Sequence, residues 1–99
     1  MKITILDEAE QDLCDGFMFY ESQESGIGDY FLNTLSADID SLRLYAGIHR
    51  KVFGFYRLLS SRFPYAIYYS LRNDTVFIIA ILDCRQNPFW TEKRLGKDD

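Results

Sequence analysis

The spacing of apolar residues changes at Gly47, and this change limits the folds that the chain can adopt. Before Gly47, apolar side chains recur every three or four residues, as on one face of an α-helix. After it, they form short runs of the β-branched and aromatic residues that strands favour. A chain of 99 residues forms a single domain. The sequence therefore predicts one α+β domain over residues 1–99, in which the sheet follows the helices.

The region before Gly47 is predicted to contain a short strand and two helices. Residues 2–6 alternate between apolar and polar side chains, which predicts the strand. We expect the first helix to begin at Asp7, with Asp7 and Glu10 acting as a capping box. The second helix is predicted from about Ile27 to Tyr45. The apolar stripes are Ala9, Leu13, Phe17 and Tyr20 in the first helix, and Phe31, Leu35, Ile39 and Leu42 in the second. We expect the two helices to pack as an antiparallel hairpin.

The region after Gly47 is predicted to form an antiparallel β-meander of three to four strands. Gly54 and the pair Asn73-Asp74 supply turns between the strands. Residues 77–82 are apolar on both faces, which is typical of a central strand. The strand-like runs are His49–Phe53, Phe55–Arg62, Tyr65–Arg72 and Thr75–Asp83. We expect the first strand to join this sheet, the helical hairpin to cover one face, and residues 91–99 to form a mobile tail.

Charge is distributed unevenly along the chain. Through Ile48 there are two basic and ten acidic residues, whereas from His49 onward there are nine basic and five acidic ones, giving the net charge of −4. This asymmetry predicts either a basic surface for an anionic partner or an ordinary solvated surface. No apolar run approaches the roughly 20 residues that span a bilayer, and the first residues lack the apolar stretch of a secretory signal. We therefore expect a cytoplasmic protein without membrane contact.

The reactive side chains are few. The chain contains two cysteines, Cys14 and Cys84, and one histidine, His49, with no CxxC pair. This set predicts no metal site and no cofactor. In a cytosolic chain, reduced and buried thiols are the expected state, and a disulfide between the two cysteines is the alternative. A single histidine at the start of a strand is more typical of a surface or half-buried residue than of a catalyst.

The segment Arg57–Tyr69, with the sequence RLLSSRFPYAIYY, resembles the sheet core of RelE/ParE superfamily toxins. The strand Thr75–Leu82 and the exit containing Arg85, Pro88 and Trp90 are similar to the last strand of that family and its arginine-then-proline exit. The resemblance extends over roughly residues 3–94. It implies the toxin of a bacterial type II toxin–antitoxin system, of the kind used in plasmid stabilization. It also implies a sheet face that the helices leave uncovered and that a cognate antitoxin masks.

The resemblance implies two alternative targets. RelE-like members are ribosome-dependent mRNA endoribonucleases, and in that case Arg57 and Arg85 match the family's arginine positions and would hold a phosphate. Arg50 and Lys51 would add positive charge, and Trp90 would stack a base. RNA cleavage also needs an acid and a base. The chain has no tyrosine after Tyr69, so this pair is missing.

The missing acid–base pair favours the ParE branch of the family, which inhibits DNA gyrase by protein binding. We therefore expect a gyrase inhibitor that is not an enzyme, with Arg57, Arg85 and Trp90 as target-binding residues. Arg57 and Arg62 have a simpler alternative role as partners of acidic residues in the helical hairpin. The expected partners are the target and a cognate antitoxin, whose C-terminal segment would fold onto this chain. No small-molecule substrate is implied, and no antitoxin-binding residue is identified.

Overall fold

The computed structural model describes residues 1–96 and shows an α+β domain, as predicted. Its sheet has the order β1-β5-β4-β3-β2, and all neighbours are antiparallel except β1 and β5, which are parallel. No helix in the described part of the chain is long and apolar enough to cross a membrane. The elements are β1 (Lys2–Ile5), α1 (Asp7–Gln23), α2 (Ile27–Asp40), α3 (Leu42–Tyr45), β2 (Lys51–Val52), β3 (Phe55–Leu59), β4 (Tyr65–Arg72), β5 (Thr75–Asp83) and α4 (Pro88–Gly96).

The main core lies between the helices α1 and α2 and one face of the sheet, which we call the inner face. Ile67, Tyr69 and Ile78 point into this core from β4 and β5 and are fully buried. Phe31 of α2 lies across Gly16 of α1, where an added Cβ atom would come within 2.5 Å of the Phe31 ring. Gly16 therefore allows the two helices to pack closely. Most residues of the apolar stripes predicted for the two helices pack in this core.

A second, smaller cluster lies on the opposite face of the sheet, which we call the outer face. Ala66, Tyr68 and Ala80 are buried there beneath Leu95 of α4. A bulge shifts the β4–β5 register, since Tyr68 pairs with Ala80 and Tyr69 with Ile78. The extra residue, Ile79, lets β5 fill both clusters. The predicted central strand is confirmed, because β5 lies between β1 and β4.

The ends of several elements differ from the predictions. Leu6, not Asp7, is the N-cap of α1, and no side chain caps the helix. Leu6 is extended and its N–H donates to Ile78 O. Asp7 is therefore already the first residue of the helix, one position earlier than a capping box with Asp7 as the N-cap requires. The second helix ends at Asp40 and is followed by the short helix α3. A turn at Ser41, whose hydroxyl donates to Asp38 O, separates them.

Strands β2 and β3 are shorter than predicted. Phe53 and Gly54 both have positive φ angles, and this tight turn ends β2 at Val52. Strand β3 ends at Leu59. Beyond it, Ser60 and Ser61 bind the Asp38 carboxylate of α2 through a hydroxyl and an N–H. These contacts join the end of β3 to α2, while the Ser60 N–H still donates to Tyr65 O of β4.

Helix α4 is the main element that the sequence analysis did not predict. A polar tail was expected from about residue 91, yet Pro88–Gly96 is helical and Leu95 is 1% exposed. The few apolar residues of α4 do not form a long stripe along one side of the helix. The buried Leu95 and the pair between Arg94 and Asp12 hold the helix in place. Residues 97–99 of the expected tail lie outside the described residues.

One carboxylate joins α1, β5 and α4. Asp12 Oδ2 accepts a hydrogen bond from the Ile81 N–H at 2.9 Å, and both Asp12 oxygens accept from the Arg94 guanidinium at 2.8 and 2.9 Å. The Ile81 N–H is available because β1 ends at Ile5, opposite Ile78. Asp12 therefore binds the backbone of β5 on the side where β1 no longer runs alongside it.

Replacing Asp12 with alanine should destabilise the domain. The side chains of Asp12 and Arg94 are only 11% and 29% exposed, and breaking a largely buried pair costs about 3 kcal/mol. The control is Asp40→Ala, because the Asp40–Arg43 pair is 70% and 55% exposed and such pairs contribute about 0.5 kcal/mol. Urea unfolding measures both changes, and equal losses would contradict the role given to Asp12.

Candidate outer-face binding surface

The outer face of the sheet brings basic and apolar side chains together. Side chains alternate between the two faces along a strand, so Phe55 and Arg57 of β3 share the face of Tyr68. Phe55 and Val52 pack against the outer cluster. Arg72 of β4 lies over the Phe77 ring at 5.2 Å from its centre, on the same face. Helix α4 contributes Leu95 to this cluster.

Arg57 lies in the middle of this surface, and its role in target binding stays a prediction. It pairs with Tyr68 on one side, and its N–H donates to Arg50 O on the other at 2.9 Å. Burial raises the pKa of Tyr68, while a hydrogen bond from Arg57 acts in the opposite direction. Among residues 1–96, Arg57 forms no salt bridge. Its charge is therefore available to a partner.

The alternative of structural pairing with hairpin acids is wrong for both arginines. Arg57 lies on the face away from the hairpin. Arg62 does contact α2, but it donates to the Tyr30 hydroxyl at 3.2 Å and not to a carboxylate. Arg62 is an exposed residue that joins the β3–β4 connection to the hairpin.

Arg85 is held by an internal partner. Its guanidinium donates to both Asp83 oxygens at 2.8 and 2.9 Å, and it also reaches the Tyr20 hydroxyl at 3.4 Å. This pairing holds the pKa of Asp83 below its usual value. Arg85 is thus oriented toward α1 at the end of β5, and its charge is largely balanced by Asp83.

Arg57 and Arg85 nevertheless both influence the pKa of Cys84. Although Cys84 is exposed as a residue, partial burial of its thiol raises the pKa, and the positive charges of Arg57 and Arg85 oppose that rise. The two predicted arginines therefore lie within electrostatic reach of one position. Both cysteines are free and exposed, so the expectation of buried thiols is wrong, and neither forms the alternative disulfide.

The other predicted residues are separated by the fold. Arg50 is exposed beside Arg57, whereas Lys51 lies over the Tyr56 ring at 4.9 Å. Tyr56 packs against the inner core, so Lys51 does not join the outer face. Trp90 is 61% exposed on α4, next to the equally exposed Phe89. The structure thus groups Arg50 with Arg57 and places Trp90 on a separate element.

Arg72 was missed in the sequence analysis. It ends β4, and its side chain adds a third cation to Arg50 and Arg57 on the outer face. The alternation of β4 would have identified it, because Tyr68, Ser70 and Arg72 share one face. The charged strand residues of this face are therefore basic, which matches the basic second half of the sequence.

The groups suited to proton transfer lie elsewhere or are covered. His49 Nδ1 hydrogen-bonds to the Tyr69 hydroxyl, which also accepts from the Gly47 N–H at 2.9 Å. Burial lowers the pKa of His49. Tyr69 belongs to the inner core, so His49 fastens the α3–β2 loop there. Tyr68 lies beside Arg57 but is only 4% exposed.

Comparison with known proteins gives a structural likeness. No protein-family model matches the sequence, and no curated protein matches it. Among solved structures, a chain of the chromosomal ParDE toxin–antitoxin system from P. aeruginosa is similar, with a TM-score of 0.75 at 19% identity. The match covers 82% of this chain and 92% of that chain. The two chains share a fold. The fold implied by the RelE/ParE resemblance is therefore confirmed.

His49 should titrate below its usual pKa of 6.5. Because the unfolded chain binds the proton more readily, the contribution of neutral His49 to stability is full above pH 6.5 and is lost as the pH falls through the lower, folded pKa. His49 is the single histidine of the chain, so its imidazole resonances in an NMR titration are unambiguous. A midpoint at or above 6.5 would contradict the half-buried position described for His49.

Proposed function

We propose that this chain is the toxin of a type II toxin–antitoxin system and that it acts as a ParE-like inhibitor of DNA gyrase. In this proposal a cognate antitoxin neutralises it by binding. The observation that carries the proposal is the composition of the outer face. Arg50, Arg57 and Arg72 stand there among apolar side chains, and the described residues bring no accessible acid–base pair to them.

Such a surface suits the binding of a protein. Apolar side chains supply the area that leaves water on association, and arginines are enriched among the residues that contribute most to protein interfaces. Inhibition by binding requires no proton transfer, so the burial of Tyr68 and the inner location of His49 are no obstacle. Trp90 and Phe89 of α4 would extend the contact, because both are exposed.

The second candidate is a RelE-like, ribosome-dependent mRNA endoribonuclease. The row of Arg50, Arg57 and Arg72 favours it, because arginines bind phosphates well. Three observations weigh against it. Arg85 is engaged with Asp83, Tyr68 is covered, and the chain has a net charge of −4, which opposes binding to a particle coated in phosphate. We therefore rank it second. Both targets are cytoplasmic, and we place the protein there.

A gyrase supercoiling assay with the purified protein tests the proposal. The protein is titrated from below to above the molar amount of gyrase, and supercoiled and linear DNA are scored on the same gel. Loss of supercoiling together with linear DNA supports the ParE-like function. Unchanged gyrase activity at large excess would reject it, and cleavage of mRNA on translating ribosomes would then be measured.

Replacing Arg57 with alanine should weaken gyrase inhibition by about tenfold or more, the loss expected for a central interface arginine. The reason is that Arg57 carries a charge unpaired within residues 1–96, at the middle of the outer face. The matched control is Arg62→Ala, which removes the same charge from the hairpin side, where Arg62 donates to the Tyr30 hydroxyl. Titrations of both variants give the concentrations for half inhibition. Equal effects of the two substitutions would remove Arg57 from the binding surface.

The antitoxin part of the proposal has its own test. The protein encoded beside this gene is co-expressed with the chain, and the two are purified together by a tag on one of them. Co-purification with relief of growth arrest supports neutralisation by binding. A neighbouring protein that neither binds nor relieves the arrest would count against the toxin–antitoxin assignment.

A further inference from the structure

A second surface lies at one end of the sheet, where two tight turns come together. The turn Phe53-Gly54 joins β2 to β3, and the turn Asn73-Asp74 joins β4 to β5. Both turns lie at the same end, because β3 begins where the antiparallel β4 ends. Strand β1 also begins there, since Lys2 pairs with Thr75, the first residue of β5. We call this region, together with the neighbouring α3 and the loop that follows it, the turn end.

Helix α3 and the loop after it are placed at the turn end by two contacts. The Arg43 guanidinium of α3 donates to Met1 O at 3.2 Å, just before β1 begins. At Gly47 the loop passes close to the end of β4, because an added Cβ atom would lie 3.2 Å from Leu71 Cδ1. The loop then leads directly into β2, which is the edge strand of the sheet.

Apolar side chains at the turn end face the solvent. Leu42 anchors α3 because it is fully buried, whereas Leu44 and Ile48 are 81% and 73% exposed. Tyr45 and Phe53 are exposed as well. A surface helix normally carries polar residues on its outward side, and apolar side chains grouped on a surface commonly mark an interaction site.

The segment that carries these side chains is held in place by the core. The hydroxyl of the buried Tyr69 accepts from the Gly47 N–H at 2.9 Å and hydrogen-bonds to His49 Nδ1, so the backbone is fixed on both sides of Ile48. The Ile48 N–H also donates to Tyr45 O at 3.3 Å. A partner therefore meets apolar side chains whose backbone is already ordered, which lowers the entropic cost of binding.

The turn end carries positive charge that the chain does not neutralise by ion pairing. Arg43 is balanced by Asp40. Within residues 1–96, by contrast, no salt bridge is formed by Lys2, Arg50, Lys51 or Arg72. Arg50 and Arg72 also belong to the outer face, so the turn end is continuous with that face and adds apolar area beside it. A surface of this composition is complementary to a partner that is both acidic and apolar.

We propose that the turn end binds an acidic segment of a partner protein. Leu44 and Ile48 would be its apolar anchors, and Arg50 and Lys51, which follow them in the chain, would meet the carboxylates of the segment. Under the proposed function the partner is gyrase, and its contact would continue from the outer face around the edge strand β2. Only the attribution to gyrase rests on the proposed function.

Two other kinds of partner fit the turn end less well. Nucleic acids bind through bases that stack on aromatic rings, whereas Leu44 and Ile48, the most exposed apolar residues here, are aliphatic. An anionic membrane would meet the carboxylate of Asp74, which is exposed in the β4–β5 turn, as well as the cations. A protein segment can match each charge separately.

A peptide titration tests the apolar anchors. The probe is a fluorescently labelled 18-residue peptide of leucine and glutamate, with leucine at every third or fourth position, and anisotropy reports its binding at physiological salt. Leu44→Ser should weaken binding about tenfold, because an anchor of the interface is lost. The matched control is Met18→Ser, which changes an aliphatic side chain that is 66% exposed on α1 and should leave binding unchanged. Equal urea midpoints of the two variants would establish that both are folded.

Charge reversal tests the cations. Lys51→Glu should weaken binding of the same peptide about tenfold. The matched control is Lys93→Glu, because Lys93 also lies over an aromatic ring, that of Phe89 at 5.9 Å, but on α4. The two substitutions change the net charge equally, so a local site predicts a loss for Lys51→Glu alone.

Several results would overturn the proposal. One is the absence of peptide binding, and another is an equal loss in a variant and its matched control. Equal binding of a peptide in which lysine replaces glutamate would reject the role of charge. Binding to vesicles of phosphatidylglycerol and phosphatidylcholine, or to a single-stranded oligonucleotide, that is tighter than binding to the peptide would reject a protein partner.

The peptide measurements use the purified chain without gyrase. Peptide binding by a protein that leaves gyrase untouched would reject the proposed function and keep the turn end as a binding surface. If the chain inhibits gyrase, Leu44→Ser should raise the concentration for half inhibition about tenfold relative to Met18→Ser. Gyrase inhibition by a chain that does not bind the peptide, with equal values for the two variants, would keep the proposed function and reject this inference.

Discussion

The Asp12 carboxylate is the interaction on which the arrangement of the two faces depends. Strand β1 pairs with β5 only as far as Ile78, so beyond that point β5 has a neighbouring strand on the β4 side alone. Asp12 supplies an acceptor to the Ile81 N–H and at the same time binds Arg94. An unsatisfied buried amide costs about 1–3 kcal/mol. One side chain of α1 thus completes the sheet and orients α4 across the outer face.

The position of α4 determines which part of the outer face is open. Leu95 covers Ala66, Tyr68 and Ala80, and it thereby removes the phenol beside Arg57 from contact with large partners. The same helix presents Phe89 and Trp90 to the outside. The outer face that results is basic and apolar, and Tyr68, the phenol beside Arg57, is covered.

The acidic side chains of the helical hairpin are kept apart from the arginines of the outer face. Among the described residues, the hairpin carboxylates form no salt bridge with Arg50, Arg57 or Arg72, although Glu8 and Asp12 do pair with Arg94 of α4. Several of these acids hold the structure together, as Glu21 does by accepting from the N–H groups of Gly26 and Gly28 at the start of α2. Others, such as Asp7 and Glu10, stay free beside an apolar groove. The molecule therefore has two chemically distinct surfaces.

The sequence by itself determined the class of the fold, the order of its elements and the central place of β5, because apolar periodicity reflects which side chains leave water. Through the family resemblance it also named Arg57, Arg85 and Trp90 as candidates for target binding, which stays a prediction. The tertiary structure decided the rest. Whether Arg85 is free depends on Asp83 and Tyr20, and the latter lies 65 residues away in the sequence. Helix α4 docks through Leu95 and the Arg94–Asp12 pair, contacts between residues distant in the chain that leave no local periodic signal.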